Sequence, residues 1–244
     1  MLDLVGNKKV AYYSGCFANY YYPEVGDATL AILKKNDVEV KVPSQVCCGL
    51  PMMAKGNIKD AMSNMKRNAA ELGKLVSEGH AVVVSCSSCG LFLKRDLPHS
   101  LETEESKLVS ENLYHITEYL LKLREAGHLN THLARIEQTI FYHTPCHMRA
   151  QNVDHPSAKM LELIPGTVVK KVSETCCGMS GAYGYEKKNY ELSKDIAKAL
   201  YREIEENPTD RIVVDCGGCR LQIQAGTDTR VDHPTIVLRE AWRV

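Results

Sequence analysis

The residues with the greatest chemical capacity in this 244-residue sequence are its ten cysteines: Cys16, Cys47, Cys48, Cys86, Cys89, Cys146, Cys176, Cys177, Cys216 and Cys219. Their spacing is ordered. The first half carries a single cysteine, 30 residues, an adjacent pair, 37 residues and a C-x-x-C. The second half carries a single cysteine, 29 residues, a pair, 38 residues and another C-x-x-C. None is left over, and each pair is followed by a glycine, Gly49 or Gly178. Neighbouring thiols rarely bridge each other, because the short ring is strained. In a reducing compartment such a set points to metal or redox chemistry.

Each half therefore offers five thiols. Zinc takes four ligands and usually draws them from two C-x-x-C-like pairs, whereas each half has one such pair. Ordinary cubane iron–sulfur clusters also take four thiolates, at closer spacing. A thioredoxin-like dithiol accounts for a C-x-x-C but not for the doublets or the single cysteines. Five soft donors point to an iron–sulfur cluster that can use an extra, bridging sulfur. Zinc, dithiols and disulfides remain as alternatives. A scaffold that merely binds metal is a poor use of ten soft ligands.

The flanks of the cysteines repeat as well. "VAYYSGC" before Cys16 matches "IFYHTPC" before Cys146, and "AVVVSCSSCG" matches "RIVVDCGGCR", at an offset of 129 to 130 residues. That period is too long for a solenoid repeat, so two homologous lobes are expected. In the first lobe, Val10–Tyr13, Val38–Val42 and Ala81–Val84 read as strands; Glu24–Lys35 and Asn57–Glu78 read as helices, with a short helix after Cys86. In the second, Thr139–Tyr142, Thr167–Val172 and Arg211–Val214 read as strands, His155–Leu163 and Lys187–Glu205 as helices. Alternation of this kind predicts an α/β fold, two duplicated Rossmann-like lobes with parallel sheets related by a pseudo-twofold axis. The expected divisions are a first lobe over 1–110, a connector over 111–138 with a helical run at Tyr114–Glu125, and a second lobe over 139–244.

Every cysteine group then lies just after a strand and before a helix. In parallel sheets those loops share one edge, where ligands bind and helix N-termini present N–H groups to anions. Gly49 and Gly178 are expected to allow close backbone approach or a positive φ beside a cofactor.

Thirty basic residues balance thirty acidic ones, which argues against a nucleic-acid binder and a polybasic membrane surface. The start, "MLDLVGNKKV", shows neither the apolar core nor the cleavage site of a signal peptide, and no run approaches a membrane span. A cytoplasmic location follows as the expectation, with membrane association only through partners.

The pattern C-x30-CCG-x37-C-x-x-C, present twice, resembles the cysteine-rich CCG domain. That domain occurs in the B subunit of heterodisulfide reductase, in the C-terminal half of the C subunit of anaerobic glycerol-3-phosphate dehydrogenase, and in lactate and glycolate oxidation proteins. "GCFANYYYPEVG", "YHTPCHM", "CCGMSGAYGYEKKNY" and "HPTIVLREA" are most similar to the glycerol-3-phosphate dehydrogenase subunit. That subunit carries ferredoxin-type cubane motifs in an N-terminal domain, for which these residues show no counterpart. Complete doubled cysteine sets resemble the heterodisulfide reductase subunit instead. That resemblance implies two noncubane 4Fe–4S clusters, one on Cys16, Cys47, Cys48, Cys86 and Cys89, the other on Cys146, Cys176, Cys177, Cys216 and Cys219.

Two functions follow from the resemblance. The first is reduction or formation of a disulfide between the two clusters, within a multi-subunit complex. His143, His147 and Tyr183 are then candidate proton donors, and Lys55 and Lys187 candidate groups for an anionic substrate or for cluster charge. Either histidine can instead hydrogen-bond sulfur and tune a cluster. The second is electron transfer between a flavin dehydrogenase and a quinone or other carrier. Both imply a ferredoxin-like iron–sulfur subunit and a flavoprotein as partners. Tyr20, Tyr21 and Tyr22 read as core closure more than as an interface, and Trp242 as an anchor for the last helix.

Overall fold

The computed structural model describes residues 5–244. The chain separates into two compact units, Met1–His132 with Val244, and Leu133–Arg243. Each is built around a four-stranded, wholly parallel sheet, as the strand–helix alternation predicts.

In the first unit β1 (Lys9–Tyr13), β2 (Glu39–Lys41), β3 (Ala81–Val84) and β4 (Leu113–His115) assemble in the order β2-β1-β3-β4. β1 and β3 are apolar on both faces and fully buried but for Lys9, the pattern of central parallel strands. β2 is an edge strand, shorter than the expected Val38–Val42, and the chain leaves the sheet before Pro43. The intervening helices are α1 (Pro23–Lys35), α2 (Leu50–Ala54), α3 (Ile58–Ser77), α4 (Ser87–Leu91), α5 (Leu97–Leu101), α6 (Glu104–Glu111) and α7 (Ile116–Glu125). α3 buries Ala61, Met65, Asn68, Ala69, Leu72 and Val76, one stripe at helical spacing.

In the second unit β5 (Gln138–His143), β6 (Thr167–Ser173), β7 (Arg211–Val214) and β8 (Val231–Asp232) take the corresponding order, β6-β5-β7-β8. Its helices are α8 (Cys146–Arg149), α9 (Pro156–Leu161), α10 (Tyr190–Glu206), α11 (Gly217–Gln224) and α12 (Pro234–Trp242). α10 starts three residues later than expected, because Lys187–Asn189 forms a separate 3-10 turn.

Residues 111–138, read from sequence as a connector, contain β4 and α7 of the first unit. β4 and β8 were invisible to pattern reading because strands of two or three residues show no alternation. Both run into a helix through the same cap. Nδ1 of His115 accepts from the N–H of Thr117, and Nδ1 of His233 accepts from that of Thr235. The ion pairs of Arg211 with Asp232 and Glu240 tie β7 to β8 and α12. Trp242, on α12, is buried as expected, whereas Tyr20 and Tyr21 are 81% and 64% exposed and do not close a core.

Candidate metal centre

The sheets are parallel, so the carboxyl ends of β1, β2 and β3 lie on one edge, and the loops leaving them carry Cys16, the Cys47–Cys48 pair and Cys86. Side chains distant in sequence hold these loops together. Nε2 of Gln45 donates to the carbonyl of Tyr12, and its Oε1 accepts from the N–H of Gly15. This ties the approach to the doublet onto the Cys16 loop. Asn68 on α3 is 1% exposed; its Oδ1 accepts from the N–H of Val46, and its Nδ2 donates to the carbonyls of Val46 and Cys47. Asn64 donates to the Cys47 carbonyl as well. A buried amide that satisfies three backbone groups ties the loop to α3.

The thiols of the first unit form a contiguous series. Cys47 is hydrogen-bonded to both Cys16 and Cys48, and Cys89 to both Cys48 and Cys86. Cys47 is drawn down to about 2, first by Cys16, then by Cys48, with help from the N–H of Gly49 and against burial. Its neighbours keep the protons: Cys16 is pushed up, first by its bond to Cys47 and then by burial, and Cys48 is pushed up first by Cys47. Cys86, the N-cap of α4, falls to about 7, through the Cys89 thiol first and, against burial, the N–H groups of Cys89 and Ser88. Cys89 is pushed well up by Cys48 and Cys86. Gly15 permits the closest approach: a Cβ there would stand 3.0 Å from Cys89 Sγ.

In the second unit, Cys177 Sγ lies 3.1 Å from Cys219 Sγ, both within an apolar cluster that includes Phe141, Leu200, Ile212 and Ile223. Cys219 is pushed well up, first by Cys177 and next by Cys216. Cys177 falls to about 5, through Cys219 first, then His143 and the N–H of Met179, with burial opposing. Cys146 is exposed as a residue, but its thiol is partly shielded, which pushes it up first, followed by the charges of Cys216, Cys177 and Cys176. The N–H of Gly178 donates to Cys176 Sγ at 3.4 Å. Cys216 caps α11 in the same extended conformation in which Cys86 caps α4. Cys146 and Cys176 are exposed and Cys216 is half-buried, so this centre has an open side.

Gly49 and Gly178 both adopt the left-handed region, with φ of +107° and +84°. At Gly178 a Cβ would meet the Ser193 carbonyl oxygen at 2.1 Å, so the turn behind the second doublet admits glycine alone. The serine hydroxyl at that place donates to the Gly178 carbonyl and accepts from Gln222.

The other sequence candidates are dispersed. His143 is buried against the thiols: one ligand atom each from His143, Cys177 and Cys219 fall within 4.8 Å of one another. His147 is half-buried on α8, and its backbone N–H bonds to Cys146. Tyr183 is exposed at the start of a 3-10 turn. Lys55 is exposed at the end of α2, and Lys187 is exposed in a 3-10 turn. Sequence reading missed Asn68, Gln45 and Ser88, and also Asp215, a buried carboxylate that accepts from Tyr142 and Ser157. A signal for the last existed: where the duplicated flanks match, Asp215 stands opposite Ser85.

This donor set fits an iron–sulfur cluster. It is all thiol, it converges from three loops, none of it is consumed in a disulfide, and backbone N–H groups bond its sulfurs, which suits anionic thiolates.

Comparison with known proteins agrees with this chemistry. The C subunit of anaerobic glycerol-3-phosphate dehydrogenase from Escherichia coli (strain K12) is 31% identical over 235 residues, 96% of this chain and 59% of the relative. The B subunit of fumarate reductase (CoM/CoB) from Methanothermobacter marburgensis is 29% identical over 221 residues, 88% of this chain and 42% of the relative. Lactate utilization protein A of Geobacillus kaustophilus (strain HTA426) is 29% identical over 246 residues, 96% of this chain and 97% of the relative. This chain thus spans 59% and 42% of the first two and nearly all of the third. The family model of the cysteine-rich domain matches twice, over residues 10–94 and 140–224, each match enclosing one five-cysteine set, and the chain accordingly belongs to the cysteine-rich CCG-domain family.

Proposed function

We propose that this chain is an iron–sulfur electron-transfer subunit of an oxidoreductase complex. Cys16, Cys47, Cys48, Cys86 and Cys89 would hold one 4Fe–4S cluster, and Cys146, Cys176, Cys177, Cys216 and Cys219 a second, both noncubane. When bound, each cluster supplies one-electron storage. The observation that carries the reading is the unbroken thiol series from Cys16 through Cys47, Cys48 and Cys89 to Cys86. A doublet lets adjacent residues serve neighbouring irons, which gives two side-by-side thiols a purpose. The chain's own groups hold the thiolates in place, donate N–H to sulfur and bury one side in apolar surroundings. Two relatives bear on the role: one is named as part of a dehydrogenase and another, matched over nearly its full length, is named for lactate utilization. A flavoprotein dehydrogenase and a ferredoxin-like iron–sulfur subunit are the partners this reading requires. Among the described residues no helix is long and apolar enough to cross a membrane, so contact with a quinone would pass through such partners. Anaerobically purified protein should contain about eight iron and eight acid-labile sulfide per chain. Zinc, or no metal, would refute the assignment.

A second reading, reduction or formation of a disulfide, is favoured by the exposure of Cys146 and Cys176. This open side gives a small sulfur substrate access to the second centre, and one relative is named for CoM and CoB. His147, half-buried beside Cys146, and Tyr183 are its candidate proton donors; Lys55 and Lys187 are candidate anion-binding groups. Disulfide turnover with an artificial electron donor, abolished by Cys216→Ser, supports this reading. Donor-to-quinone activity without disulfide turnover supports electron transfer.

A further inference from the structure

Tyr13 and His143 occupy the same register position in the two units: each ends the central strand, opposite Val84 in β3 and Val214 in β7. Their side chains act differently. Tyr13 commits its hydroxyl hydrogen to the Val46 carbonyl at 2.6 Å and has no second hydrogen to offer sulfur. His143 is 2% exposed, one of its ring nitrogens lies within 4.8 Å of the sulfurs of Cys177 and Cys219, and the ring bonds to Cys177. Its buried Nδ1 has no hydrogen-bond partner among the described residues, so no competing acceptor holds the ring. The first unit has a donor of its own elsewhere. The Ser88 side chain bonds to Cys86, and the corresponding place in the second C-x-x-C is Gly218, which has no side chain.

We propose that two donors that do not repeat make the two centres inequivalent: Ser88 on Cys86 in the first unit and His143 on Cys177 in the second. Each raises the reduction potential of its own centre alone. A donor to a ligand sulfur withdraws electron density and favours the reduced state. The effect is strengthened where water is excluded, as it is around Cys177 and Cys219. His143 is thereby a positioning and tuning residue of the second centre, distinct from a proton donor to substrate. This inference rests on the iron–sulfur reading.

The test is a potentiometric titration of the loaded full-length chain followed by electron paramagnetic resonance. His143→Phe should lower one midpoint potential and leave the other. Ser88→Gly should lower the other and leave the first. His143→Gln, which keeps an N–H donor, should restore most of the shift. Full iron content with both midpoints unchanged in His143→Phe overturns the proposal, as does a shift of the same midpoint by both variants. If His143→Phe fails to load, the wild type decides. With 15N-labelled histidine, pulsed resonance should show an imidazole nitrogen coupled to one centre, retained in His147→Gln; absence of that coupling overturns the proposal. Zinc or no metal in the purified chain would instead refute the iron–sulfur reading itself.

Discussion

Cys177 Sγ and Cys219 Sγ lie 3.1 Å apart although they are 42 positions apart in sequence. The fold brings them together because each leaves the same edge of one parallel sheet, after β6 and after β7. Removing one thiol should therefore disable one centre and spare the other. Cys219→Ser is expected to lower iron and sulfide by about half, and Cys48→Ser by a similar share, since two proposed four-iron centres would hold about eight iron atoms per chain. The double variant should be nearly iron-free. Metal analysis of the three anaerobically purified proteins checks this; complete loss from either single variant would show that the units do not load independently.

The amide of Asn68 holds the first doublet from below. Asn68→Ala leaves the Val46 N–H and the carbonyls of Val46 and Cys47 without that partner. The cost should be about 2 kcal/mol, chiefly that of the Val46 N–H left unsatisfied, since Tyr13 and Asn64 still donate to the two carbonyls. Urea unfolding measures it. The same variant should release iron faster from the first centre under a chelator, with the second centre unchanged.

Two left-handed glycines separate strain from collision. Gly56 has φ +77° with nothing within 4 Å of a built Cβ, whereas at Gly178 the Cβ would meet the Ser193 oxygen at 2.1 Å. Gly56→Ala should cost only about 1 kcal/mol, the conformational penalty. Gly178→Ala should cost on the order of 3 kcal/mol or more, because the backbone must move as well. Unfolding midpoints of the two variants decide, and equal losses would count against the packing assigned to the second doublet.

Burial lowers His115 to about 4 from its usual 6.5, against a backbone hydrogen bond with Ser85. A histidine depressed in the folded state adds stability above its unfolded value, and that stability is lost as the pH falls from about 6.5 towards 4. The full loss is on the order of 3 kcal/mol. Protonation would also remove Nδ1 as the acceptor for the Thr117 N–H that starts α7. His115→Asn, which caps without titrating, should unfold with a flatter dependence between pH 6.5 and 4.5. An unchanged slope would show that the acid sensitivity lies elsewhere.

The sequence alone determined the duplication, the α/β class and the cysteine inventory. Each of these is written in local pattern: an offset of 129 to 130 residues, apolar runs such as Ala81–Val84, and thiols counted in register. Long helices such as Ile58–Ser77 were legible for the same reason, since one stripe recurs at helical spacing. The short strands Leu113–His115 and Val231–Asp232 were not, because two or three residues have no period and exist as strands only through their neighbours. The same limit hid the groups around the thiols. That Asn68 faces the doublet, that Tyr13 is held by a carbonyl while His143 reaches sulfur, and that Cys146 is exposed while Cys177 is buried depend on contacts between segments remote along the chain. Spacing states which thiols are present; packing alone decides what touches them and which side of each centre meets water.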